Sequence, residues 1–242
     1  MIAQTKGIVI KTINYGESGI VVKIFTEVFG MQSYMVKGIG AKHAKNKTAF
    51  FQPLNLLDLV VYHKENKNLQ HLKEVQPDYI FQHLPHDVIK RSLLLFVNEL
   101  LYKTLHNELP NKPLFHWLHQ SLIWLDLAHH RVSDFHLMMM IQLSQFLGFY
   151  PKTMPAKLFS VFDMQEGVFG NQLPMHPYYI TGEMVVTLTK LMEASFESND
   201  SEIFSNSQRK ELLETLTTYY KLHVPGFTGF KSLEVLKMVL GK

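Results

Sequence analysis

Tyr34-Met35-Val36-Lys37-Gly38-Ile39-Gly40-Ala41-Lys42-His43-Ala44-Lys45-Asn46-Lys47-Thr48-Ala49-Phe50-Phe51-Gln52-Pro53 is the one long connection in an otherwise tightly turned run of short apolar segments. It carries Lys37, Lys42, Lys45 and Lys47 with His43 among them, and no carboxylate occurs between Glu27 and Asp58. Gly38 and Gly40 let the backbone turn or approach a partner closely. Phe50 and Phe51 return the chain to apolar surroundings. A loop of uncompensated ammonium groups repels itself unless a polyanion is near. The stretch reads either as a solvated basic loop or as a phosphate-contacting loop carried on a small barrel.

Outward from this loop, the flanking segments have the period of strands. Residues 7–14 are short, β-branched and bounded by turn residues. After a turn at 15–19, residues 20–26 alternate, with Ile20, Val22 and Ile24 on one face and Val21, Lys23 and Phe25 on the other. Residues 31–37 form a third strand, residues 54–62 a fourth, and residues 69–75 a fifth beyond a polar hairpin loop. Five strands with short turns and one long connection between the third and fourth predict a closed five-stranded barrel. The OB-fold, which binds oligonucleotides on one face, is the expected form. An SH3-like barrel is the alternative.

After Pro77 the apolar period changes to that of helices. Val88, Leu94, Leu95, Val97, Leu101 and Leu105 predict one helix over 85–106, and a second, with Trp117 and Trp124, covers 114–129. Ser133 is the expected N-cap of a third, ended at Gly148; it is apolar almost all round and so expected at the centre of its domain. Pro151, Pro155, Pro174 and Pro177 make the next stretch irregular, with a small hairpin expected from 158–163 and 167–169. Further helices are expected from Thr181 or Gly182, from Gln208 and after Ser232. The class is therefore α+β: an OB-fold barrel over 1–77, then an α-helical domain over 78–242 with an irregular or hairpin insert near 150–180.

Composition narrows the function. Apolar content of 46% and charge of 19% fit a globular chain with a real core. No transmembrane helix or signal peptide is expected, so cytoplasmic residence is the default. Cysteine is absent, which excludes disulfides, thiol nucleophiles and thiolate metal sites. The net charge of +3 is unevenly spread: residues 1–77 hold ten lysines and five carboxylates, for +5, and the remainder carries −2. That asymmetry points to a polyanion partner for the first part.

Catalytic patterns fail in turn. His116 and His119 are one helical turn apart, but no His-Glu-x-x-His pattern accompanies them, so a metal-dependent hydrolase is only the rival reading. Gly16-Glu17-Ser18-Gly19 lacks the glycine that a nucleophile elbow needs at Ile20. Gly38-Ile39-Gly40 is not completed to a dinucleotide or P-loop motif. A protein adaptor acting through its helical domain is a third reading. The best candidate site is basic: Lys11 and Lys23 from neighbouring strands, Lys37 at the end of the third, and Lys42, Lys45 and Lys47 in the loop. Tyr15, Phe25 and Tyr34 are candidates to stack on bases, or to fill the barrel.

Gly7-Ile8-Val9-Ile10, Tyr15-Gly16-Glu17-Ser18, Phe25-Thr26-Glu27 with Gly30, Lys37-Gly38 and Gln52-Pro53 occur in an order and spacing that resembles the bacterial recombination mediator family RecO. Leu147-Gly148-Phe149-Tyr150-Pro151 and the ending Lys231-Ser232-Leu233-Glu234-Val235-Leu236 extend the resemblance over nearly the whole chain. It implies an OB-fold followed by a helical domain. It also implies a non-enzymatic DNA repair protein that binds single- and double-stranded DNA, anneals complementary strands and helps load the recombinase RecA, with RecR as partner. The tail of single-strand-binding protein is a further implied partner, expected in an apolar pocket of the helical domain beside a cation, with Arg131 the candidate. No membrane partner is implied, and the protein is expected among the nucleoid-associated proteins of the cytoplasm. Many members carry a four-cysteine zinc site after the Leu-Gly-aromatic-x-Pro motif. This chain has Leu158, Phe159, Val161 and Phe162 there, so no cofactor is expected and apolar packing is expected in the metal's place. Members often have arginine just after Lys-Gly, where this chain has Ile39-Gly40. Its phosphate contacts then fall to lysines, which lack the bidentate fork.

Overall fold

The structure is a computed structural model. It describes residues 1–16, 19–37, 45–105, 108–129, 132–152, 159–196 and 203–240, with side chains from 48 onward in the segment that begins at 45. Two compact units are present, Met1–Leu127 and Ala128–Lys242.

In the first unit β1 (Ile2–Tyr15), β2 (Gly19–Thr26), β3 (Gly30–Lys37), β4 (Leu56–Tyr62) and β5 (Leu69–Tyr79) close into a barrel in the order β1-β2-β3-β5-β4. All pairings are antiparallel except β3–β5, which is parallel and runs only from Ser33↔Leu69 to Met35↔His71. This is the five-stranded mixed barrel expected of the OB class. β1 closes it by pairing with β4 over its first half and with β2 over its second. Where it passes between them the inward residue is Gly7, and a Cβ there would lie 2.6 Å from Ile24 Cγ2 and 2.8 Å from Leu59 Cδ1. Val9, Ile20, Val22, Ile24, Tyr34, Leu57, Leu59 and Val61 fill the interior.

The long connection is not wholly a loop. α1 (Lys45–Phe50) is a short helix, followed by Phe51, which is buried with the barrel core. Thr12 Oγ1 donates to the Phe51 carbonyl at 2.7 Å, and Leu54 N–H donates to the Val9 carbonyl at 2.7 Å. These bonds fasten the connection to β1.

The change of period after Pro77 marks the end of the strands to within two residues, while the compact unit continues through α2 (Val88–Thr104) and α3 (Lys112–Leu127). Asp87 caps α2, accepting from the N–H groups of Ile89 and Lys90. The two helices cover barrel residues that point outward. Phe25 meets Phe115 with ring centroids 6.0 Å apart, and Ile8 and Ile10 are buried. Met31 N–H donates to the Glu108 carbonyl at 2.9 Å, and Gly30, at φ +66°, leaves room for the 108–110 backbone. Asp78 accepts from Lys6 Nζ at 2.6 Å and lies 2.5 Å from His119 Nε2, joining β1, β5 and α3.

The second unit is built on α4 (Phe135–Phe146), which is buried on every side over most of its length, as its composition predicts. Ser133 is not its cap. Residues Val132–Asp134 form a 3-10 turn, and the flanking Asp134 turns its carboxylate to the Ile203 N–H and to Arg209 instead. Gly148, at φ +85°, ends the helical segment, and Phe149 N–H returns to the Ser144 carbonyl. The expected hairpin is a three-stranded sheet: β6 (Val161–Asp163) pairs with β7 (Val168–Gly170) and with β8 (Tyr179–Thr181), a strand too short to show a period. Then follow α5 (Glu183–Glu193), α6 (Asn206–His223) and α7 (Leu233–Leu240); α6 begins with a capping box between Ser205 and Gln208. Phe149, Phe159, Phe162, Phe169 and Tyr219 form one aromatic cluster under the small sheet, with Phe162–Phe169 centroids 4.6 Å apart and Phe162–Tyr219 5.5 Å apart.

Candidate nucleic-acid interface

Of the six lysines expected to form the site, the structure describes the side chains of three. Lys42 lies outside the described residues, and for Lys45 and Lys47 the backbone alone is described, in α1. Lys11 and Lys23 stand directly opposite each other in the β1–β2 ladder, and Ser33 of β3 is opposite Lys23. Residues opposite one another share a face of the sheet, as do positions two and four along a strand. Lys37, four residues past Ser33, therefore belongs to the same outer face, about 14 Å along β3 at roughly 3.4 Å per residue. It is exposed and opposite Gly19, which is in turn opposite Tyr15. The outer face of β1-β2-β3 thus gathers three lysines and one exposed tyrosine.

α2 contributes a residue that sequence reasoning did not single out. Tyr102 Oη accepts from Lys11 Nζ at 3.0 Å, and its ring centroid lies 4.3 Å from Lys11 Nζ and 5.9 Å from Lys23 Nζ. The Lys11 hydrogen bond lowers the phenol below the ordinary tyrosine value against the opposing effect of burial, and the charges of Lys11 and Lys23 add to it. Nothing in the local sequence marks Tyr102, because its role depends on a strand ninety-one residues away.

The aromatic candidates separate. Tyr15 is 60% exposed, whereas Phe25 and Tyr34 are fully buried and unavailable to bases. Phe25 does point out of the barrel, as alternation predicts, but α3 covers it; Tyr34 points into the core. Burial pushes the Tyr34 hydroxyl well above the usual phenol range.

Beyond Met35 and His71 the short β3–β5 pairing ends, and a cleft of about 780 Å3 opens there. Lys37 and Lys73 line it with His71, Asp58 and Glu74, so its charge is mixed. The two histidines expected as a rival metal pair are separately engaged: His116 Nε2 lies 3.2 Å from Glu27, and His119 holds Asp78. Among the described residues no group of three or more His, Cys, Asp or Glu is placed to hold a metal ion. Among them, too, no helix is long and apolar enough to cross a membrane.

The second unit has an apolar pocket of about 410 Å3 between α6 and α7. Leu213, Leu236 and Leu240 line it, with Arg209, Lys210 and Lys237 at its border. Arg209 is held by the Phe204 carbonyl at 2.6 Å, by Asn206 Oδ1, and by Asp134 at 3.3 Å. Arg131, the cation expected beside such a pocket, lies outside the described residues.

Two family models match the chain: Recombination protein O N terminal over residues 1–81 and Recombination protein O C terminal over residues 85–234. Curated relatives match over nearly their whole length. A DNA repair protein RecO of Phocaeicola vulgatus is 35% identical over 237 residues, covering 98% of each chain. One of Flavobacterium psychrophilum is 36% identical over 238 residues, also 98% of each. A third, of Christiangramia forsetii, is 33% identical over 242 residues, covering both chains in full.

Proposed function

Because the chain belongs to the RecO family of DNA repair and recombination proteins, we propose that it is a non-enzymatic, DNA-binding recombination mediator of the cytoplasm. It binds single- and double-stranded DNA through the outer face of β1-β2-β3 and the basic connection after β3. It anneals complementary strands and, with RecR, helps load recombinase onto DNA coated with single-strand-binding protein. The observation that carries this reading is the common face of Lys11, Lys23 and Lys37, which leads into the lysine-rich connection. Annealing needs no covalent step. It needs strands held by their phosphates with the base edges left free, and ammonium groups with little base readout provide that.

The acidic, apolar tail of single-strand-binding protein is assigned to the pocket between α6 and α7. Three leucines suit its apolar end, and Lys210 and Lys237 at its border suit its carboxylates. Loss of binding to a tail peptide in Leu236→Asp and Lys210→Glu, with DNA affinity kept, is the expected result; unchanged peptide affinity removes the pocket from this role.

The test of the main reading is a titration of fluorescent single-stranded oligonucleotide across a salt series. Each phosphate contact to a single strand contributes a slope of about −0.7 in log affinity against log salt, so about four contacts give roughly −3. Replacing Lys42, Lys45 and Lys47 with Ala flattens the slope if the connection holds phosphates. An unchanged slope takes the connection out of the site, and no salt-dependent binding by the unaltered chain ends the reading.

A further inference from the structure

Lys11 faces Lys23 only because β1 carries an extra residue. The register passes from Val9↔Ile24 to Lys11↔Lys23, and Ile10 is left between them. In regular pairing Ile10 would oppose Lys23, and Lys11 would oppose Val22, a core residue. The bulge keeps one ammonium out of the barrel interior and sets it across from a second. Like charges directly opposite in a ladder are destabilising. Among the described residues the side-chain contacts of these two ammonium groups are with Tyr102, and no carboxylate pairs with either. A bulge that re-aims a side chain, a like-charge pair and a tyrosine held over both is a local cost that an anion between the lysines would offset.

We propose that Lys11, Lys23 and Tyr102 form a single phosphate-holding subsite, in which both ammonium groups contact one backbone phosphate of bound DNA and Tyr102 positions Lys11. This rests on the DNA-binding reading and sharpens it: the two lysines count as one contact rather than two, and α2 borders the path of the strand. Tyr102 acts through Lys11. Its hydroxyl accepts a hydrogen bond from the Lys11 ammonium, and its ring face favours both cations without neutralising them.

The experiment uses the full chain and fluorescent oligo-dT across a salt series. Lys11→Gln/Lys23→Gln together make the slope shallower by about 0.7, the value of one single-strand contact. Lys11→Arg and Lys23→Arg, which keep the charge, keep the slope and show that the positions tolerate replacement. A slope change of about 1.4 means two separate phosphates and overturns the shared subsite. An unchanged slope with salt-dependent binding intact in the parent chain overturns the subsite and leaves the wider DNA-binding reading standing. Parent chain that shows no salt-dependent binding overturns both. Tyr102→Phe weakens binding several-fold in the parent and adds nothing in the Lys11→Gln background; an equal loss in both backgrounds overturns the positioning role.

Discussion

Asp126 is fully buried, and its carboxylate accepts from the Tyr79 hydroxyl and from the N–H groups of Gln82, His83 and Leu84 at 2.7–2.9 Å. Burial opposes its ionisation, but those donors outweigh burial and hold the carboxyl below the usual carboxylate range. Asp126→Ala leaves three backbone donors of the turn after β5 without their acceptor. An unsatisfied buried donor costs about 1–3 kcal/mol, and urea unfolding of the full chain is expected to register a loss of at least that size. In the second unit His136 is buried beside Arg209; burial and then the Arg209 charge lower its pKa to about 3. The sign follows from proton binding. Below about pH 6.5 the unfolded chain takes up a proton that the fold refuses, so this residue's effect is nil above that pH and grows as pH falls toward 3. Stability should drop by about 1.4 kcal/mol per pH unit in that window. His136→Gln should remove this part of the slope between pH 6.5 and 5, read from denaturant midpoints against the parent.

At the level of elements, β1 carries most of the specification. Its inward Gly7 sits against Ile24 and Leu59 with no space for a methyl group. Gly7→Ala is expected to lower stability by about 1–3 kcal/mol through overpacking, measurable as a lower melting temperature with an unchanged far-ultraviolet spectrum. The strands were legible because alternation survives at Ile20, Val22 and Ile24, whichever way the barrel closes. The bulge at Ile10 was not, since two consecutive buried isoleucine and valine residues read the same in a regular strand. Helix α1 was hidden by its length of six residues, and β8 by its length of three. Ser133 carried a good capping signal, but the tertiary partner Arg209 gave the neighbouring Asp134 a different task. For the site, pattern alone placed Lys11 and Lys23 on neighbouring strands; their direct opposition needed the bulge, and Tyr102 needed the tertiary fold. Phe25 shows the limit of strand alternation, which gives the direction of a side chain but not what lies over it.

For the whole molecule, the compact unit that holds the barrel runs on past its strands to Leu127. A fragment of residues 1–79 would expose the outward Phe25, Ile8 and Ile10 that α2 and α3 cover. A fragment of residues 1–127 keeps them covered and matches a compact unit. Gel filtration and thermal melting should therefore show a cooperative monomer for 1–127 and aggregation for 1–79. The aromatic cluster under β6–β8 has an environmental consequence as well. Around β6–β8 the rings of Phe149, Phe162, Phe169 and Tyr219 close the region, and the chain has no cysteine. Rings offer no sulfur to a thiol oxidant and no coordination bond to a chelator. Diamide and EDTA should leave the melting temperature where it was, so that repair carried out by this protein would withstand the disulfide stress and metal starvation that disarm a zinc-stapled version.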